Sequence, residues 1–166
     1  MIEIIGAKGL IENIDGFLKK ISSFEKNYNV EIQVFDADLI YERNHLQSAY
    51  DHAKRAFDNN KNSTNSLAME TLLYAAGERQ LKIAIPKIGA KEGEVDVAVL
   101  FIGSNTKEII SKFLDNFGFT LDDKVLKGDI NTLKKFGIAE SEIKTVSEEL
   151  YGDLILEKVA IVDIIK

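Results

Sequence analysis

The chain reads as an α+β fold: one domain over residues 1–166, with a small, mainly antiparallel sheet packed against several helices. Three observations predict this. Strand-like runs are few and short, apolar residues at helical spacing fill most of the remainder, and capping residues divide the two kinds of segment. A length of 166 residues suits a single domain. Apolar residues make up 45% of it, enough for a substantial core.

Taken in order, Met1–Ile5 reads as a strand, with Gly6-Ala-Lys-Gly9 as the turn that ends it. Glu12–Lys26 is an amphipathic helix that places Ile14, Phe17, Leu18 and Ile21 on one side. Val30–Phe35 alternates as a strand, with Val30, Ile32 and Val34 on one face. Asn44 is a candidate N-cap with Gln47 as its capping-box partner, opening a helix striped by Leu46, Ala49, Ala53, Ala56 and Phe57. After a polar loop at Asn59–Ser63, either Asn65 or Ser66 caps a helix that is apolar on nearly every side. Gly77 ends that helix.

Val95–Ile102 is β-branched and strand-like. Asn105 and Glu108 form a second capping-box signature, for a helix that stops at Gly118. Gly137 closes a short helix after Ile130. Ser147–Tyr151 gives one turn, and Asp153–Ile165 a last helix or an edge strand. The apolar load of that final segment is too wide for a single core-facing stripe. It is either buried within its own domain or a docking surface for another protein.

A helix as apolar as the one ending at Gly77 must be buried, so its glycine stop is a rigid place from which polar groups project. Arg79 and Gln80 follow the stop directly. The charge pattern points to the same region. The net charge is −6, yet residues 54–91 hold seven bases against three acids, a basic block between acidic flanks.

The chain offers few groups for chemistry. It contains no cysteine, so disulfides and thiolate metal sites are excluded. Its two histidines, His45 and His52, are seven apart on one helix, whereas a helical metal pair uses a spacing of four. Both therefore read as structural. Gly6–Gly9 lacks the Lys-Ser/Thr ending of a phosphate loop, and Gly103-Ser-Asn is not a nucleophile elbow. Asp36 and Asp38 follow a strand in a position to hold a cation, although paired acids in loops are commonly just solvated. No catalytic residue, metal or cofactor is expected. Nor is a membrane span, because no run nears the ~18 apolar residues it requires. Met1–Gly6 has no basic leader, which points to the cytoplasm.

One pattern is recognisable. His45-Leu-x-x-Ala49-x-x-His52-Ala53-x-Arg55-Ala56-Phe57 precedes Ser66-Leu-x-x-Glu70-x-Leu72-Leu73-Tyr74-Ala75-x-Gly77-x-Arg79-Gln80, and Ile83-Ala84-Ile85 and Ile88-Gly89 follow. This resembles the small regulatory subunit of the KEOPS (EKC) complex, the PRPK-binding protein family. The likeness is specific over residues 45–89 and looser elsewhere. Pro86 departs from it, because proline is expected to end early the helix that follows Arg79.

The resemblance implies a non-catalytic subunit of a complex that makes N6-threonylcarbamoyladenosine at position 37 of transfer RNA. Such a subunit binds and activates the kinase-like ATPase subunit, meets the other KEOPS subunits indirectly, and helps recruit tRNA by its single-stranded 3′ CCA end. On that reading, Arg79 and Gln80 contact the RNA, and Lys82, Lys54, Arg55 and Lys87 add attraction for phosphate. Tyr74 either stacks a base or packs in the core, and Gly77 allows close approach. The kinase-facing surface is read as Leu154, Ile155, Val159 and Val162, with the polar region near Asn44 and Leu46 as the alternative. Two other classes remain open: a stand-alone RNA-binding module, and a small-molecule-binding α+β domain that uses Asp36 and Asp38.

Overall fold

A computed structural model describes every residue from Met1 to Lys166. Its four strands are β1 (Ile2–Ile11), β2 (Glu31–Asp36), β3 (Gly93–Ile102) and β4 (Thr120–Leu121). They form one antiparallel sheet in the order β2-β3-β1-β4. β1 and β3 pair over their full length, from Ile2 opposite Ile102 to Ile11 opposite Gly93. Eight helices surround the sheet: α1 (Ile14–Tyr28), α2 (Arg43–Asp58), α3 (Leu67–Ala76), α4 (Leu81–Ile88), α5 (Thr106–Phe117), α6 (Ile130–Phe136), α7 (Glu140–Ile143) and α8 (Tyr151–Ile165). The α+β class expected from the sequence is the one observed.

Strand alternation divides the core into two layers. Val97, Val99 and Phe101 of β3 face α1 and α5, where Phe24 and Phe113 meet edge to face. Ala98 and Leu100 face the larger layer, built from α2, α3, α4, α6 and α8. Burial on both faces explains why β3 reads as a continuous apolar run.

Several elements differ from the sequence reading. β1 does not turn at Gly6–Gly9 but continues to Ile11. A Cβ on Gly6 would stand 2.6 Å from the Asp122 carbonyl oxygen, and one on Gly9 would stand 2.2 Å from the Phe119 ring. Those glycines let the segment around β4 lie directly on the strand. Asn44 is not a cap: α2 starts at Arg43, and Gln47 instead donates to Asp51. Asn105 precedes α5 in a left-handed conformation, and its side chain makes no capping bond. A complete capping box forms at Asp129 and Thr132, ahead of α6. Helix α4 also continues two residues beyond Pro86. Pro86 and Lys82, whose carbonyl loses its donor, are both exposed residues, where a missing helix bond costs less than in the core.

The largest correction concerns α8. Leu154 is 6% exposed, and Ile155, Val159 and Val162 are fully buried against α2 and α3. These four side chains belong to the domain's own core and present no surface for docking. The apolar load is divided between two sides. Leu156 and Ile161 are half-buried and Ala160, Ile164 and Ile165 are exposed; Leu156, Ala160 and Ile164 form the side opposite the core, Ile161 flanks it, and Ile165 lies on the side of Leu154 and Val162.

Candidate functional site

Helix α3 is the platform of the site. The Ser66 hydroxyl accepts from the Met69 amide and starts the helix. Gly77 stops it at φ 68°, with its amide donating to the Leu73 and Tyr74 carbonyls. That left-handed backbone favours glycine, while the space around it would admit a Cβ, whose nearest neighbour, the Lys158 Cβ, would stand at an ordinary contact distance of 3.4 Å.

Side chains satisfy the last carbonyls of α3. His45 Nε2 donates to the Ala75 oxygen at 2.8 Å, and Lys87 Nζ donates to the Ala76 oxygen at 2.7 Å. The Tyr41 amide donates to His45 Nδ1, which fixes the proton on Nε2. Burial lowers the pKa of His45 to about 4, so the ring is neutral. Lys87 also reaches Glu78 at 3.4 Å and lies 4.0 Å above the Phe136 ring, and burial lowers its pKa. It therefore anchors the helix stop and is not a free cation.

Beyond this stop, Arg79 and Gln80 are exposed in the α3–α4 turn, and Lys82 is exposed in the first turn of α4. Neither Arg79 nor Lys82 has a carboxylate within 4.0 Å. These three form one patch with two unneutralised charges. Lys54 and Arg55 do not join it. His45 marks the end of α2 beside the α3 stop, and Arg55 lies ten residues further along, about 15 Å away at 1.5 Å per residue. Lys54 is moreover paired with Asp58 at 2.7 Å.

Tyr74 is 1% exposed. Its ring stacks on His52 with centroids 5.5 Å apart, and its hydroxyl donates to Asp163 at 2.5 Å. It has no open face for a base, so the core reading of Tyr74 holds and the stacking reading does not.

A buried polar cluster escaped the sequence reading. Glu70 is fully buried and accepts from the Ser63 and Thr64 amides, the Thr64 hydroxyl and Lys166. Burial raises its pKa, but the hydrogen bonds from Lys166, Ser63 and Thr64 outweigh this and hold the carboxylate below its usual range. Asp163 on α8 is likewise raised by burial, and held low by the stronger effect of hydrogen bonds from Tyr74 and His52. The cluster ties α2, α3 and α8 together. No local motif signals it, because its members lie as far apart as 111 positions. Lys158 was missed for the same reason, although it packs beside Gly77.

Asp36 and Asp38 do not converge on a ligand site. Asp36 caps a 3-10 turn and pairs with Lys91 at 3.5 Å, and Asp38 pairs with Lys135 at 3.2 Å. No three His, Asp or Glu side chains are arranged to hold a metal ion. No helix is long and apolar enough to cross a membrane.

Comparison with known proteins supplies what the geometry leaves open. The family model described as "Kinase binding protein CGI-121" matches residues 10–163. The chain belongs to the CGI-121 family. The regulatory protein Cgi121 of Methanocaldococcus jannaschii is 30% identical over 141 residues, covering 84% of this chain and 88% of that protein. The family match begins in β1 and ends in α8, so it takes in both core layers and the α3–α4 turn.

Proposed function

We propose that this chain is the non-catalytic regulatory subunit of a KEOPS complex. It binds and activates the kinase-like ATPase subunit, reaches the other subunits through it, and helps recruit tRNA by the 3′ CCA end. The observation that carries the RNA part is the exposed Arg79–Gln80–Lys82 patch on a rigid helix stop. The arginine fork and the lysine suit phosphates, and the Gln80 amide suits a base edge. Lys87 and Gly77 serve this patch by fixing its position rather than by touching RNA.

The kinase-facing surface is the outer side of α8, formed by Leu156, Ala160, Ile161 and Ile164. Ile164 is 82% exposed, the most open large apolar side chain of that helix. Protein interfaces centre on such apolar side chains.

Two assays test the reading. Binding is measured to tRNA with an intact and a trimmed CCA end, for the native chain and for Arg79→Glu, at two salt concentrations. The expected result is weaker binding both on trimming and on charge reversal; equal binding throughout removes RNA recruitment. ATP hydrolysis by the kinase-like subunit is then measured with and without the native chain and Ile164→Glu. Stimulation by the native chain alone supports docking through α8. An unchanged rate in every mixture leaves the stand-alone RNA-binding reading.

A further inference from the structure

A concave feature begins one turn along α4 from Lys82 of the Arg79 patch, at Ile85. It is a groove of about 820 Å³ along the outer edge of β2. Leu18 and Ile21 of α1 form one wall, and Met69, Leu72 and Ile85 of α3 and α4 form the other. Its floor is the free edge of the sheet, since β2 is an outermost strand. The edge is closed at one end, where Phe35 bridges to Gly89.

Between Glu31 and Val34 the edge is held by side chains instead of a strand. The Ile32 amide donates to Glu25 at 2.9 Å, and the Val34 carbonyl accepts from the Gln33 side-chain amide at 3.1 Å. These are the donor and acceptor that an added strand would take, and both stand-ins are flexible side chains. The acids at this end are also short of charge partners. Glu25 and Glu31 both line the groove, and neither has a cation within 4.0 Å. Burial, with Glu31 adding to it, holds the Glu25 carboxyl above its ordinary pKa range.

We infer that this groove receives an extended apolar segment of a partner protein, added as a fifth strand on β2 and carrying a Lys or Arg that meets Glu25 and Glu31. An extended segment fits because the floor offers backbone groups in strand spacing, which a docked helix leaves unpaired. The basic residue follows from charge. A strand that displaces Glu25 from the Ile32 amide leaves a half-buried carboxylate beside a second one, and a cation compensates both. The open edge from Glu31 to Val34 accommodates about four residues, roughly 13 Å of strand.

The probe is a displayed library of eight-residue peptides selected on the full chain. Enriched peptides are expected to alternate apolar residues and to contain one Lys or Arg. Ser22→Arg, an exposed change on the groove wall, is expected to weaken them at least tenfold. Glu25→Gln keeps an acceptor for the Ile32 amide and is expected to weaken the preference for a basic residue, which Glu25→Gln with Glu31→Gln is expected to abolish. Bound peptide is also expected to slow hydrogen exchange at the Ile32 amide. The inference is overturned if no peptide is enriched, if Ser22→Arg leaves affinity unchanged, or if bound peptides are helical. It is equally overturned if the chain forms a dimer that Ser22→Arg dissociates, since the groove's occupant is then a second copy.

Discussion

The Lys166 ammonium lies 2.5 Å from the Glu70 carboxylate, joining the residue just beyond α8 to the first turn of α3 across 96 positions. Both side chains are buried, at 8% and 0% exposure. The pair closes a circuit in which Lys166 also touches the Tyr74 hydroxyl and Tyr74 holds Asp163.

Breaking that pair is expected to be costly. Lys166→Met leaves a buried carboxylate without its cation, and about 3 kcal/mol of stability is expected to be lost in urea unfolding. Adding Glu70→Gln to Lys166→Met is expected to recover part of the loss, because the uncompensated charge is gone. A double variant no more stable than Lys166→Met shows that the charge is not the source of the cost.

The two sides of α8 are expected to respond oppositely. Ile155→Ala removes a fully buried side chain, so a loss of about 2–5 kcal/mol is expected. Ile164→Ala is expected to change stability by less than about 0.5 kcal/mol. Thermal denaturation of both variants checks this, and equal losses contradict the division of the helix.

The helix stop is expected to require glycine. Gly77→Ala forces a Cβ into the left-handed region, at a cost of about 1–2 kcal/mol. Gly93 lies at φ 108° with open space around it, so Gly93→Ala gives a second positive-φ glycine at which only backbone strain opposes the change. Chemical denaturation of both variants gives the comparison.

His45 is expected to make stability depend on pH. Its folded pKa of about 4 lies below the ordinary 6.5, so the unfolded chain takes up the proton first. The native state is therefore favoured above pH 6.5 and loses stability as the pH falls toward 4, by about 3 kcal/mol in all. Glu25, whose pKa is raised, opposes this as its carboxyl protonates. Unfolding free energies of the native chain and His45→Gln at pH 7 and pH 4.5 separate the two. The His45→Gln profile is expected to be flatter, and an identical slope rules out the histidine as the cause.

Much of the site was legible because its signals are local. Ser66, the apolar run and Gly77 state the start, burial and stop of α3 within twelve residues, and Arg79 and Gln80 are exposed just past the stop. Two of the other caps were legible as residue types but not as geometry. Asn44 and Asn105 have the right side chains, yet packing starts α2 at Arg43 and leaves the Asn105 side chain without a capping bond.

The sequence by itself determined the α+β class, the order of most elements and the rigid helix stop, because these follow from apolar periodicity and backbone preference within a few residues. Only the tertiary structure decided which cations share a face, and that the inner side of α8 is core. It also decided that Lys87 and Tyr74 are tied to α3 and α8. Those outcomes depend on distances between residues far apart in the chain, and burial and ion pairing act through space, so no local pattern records them.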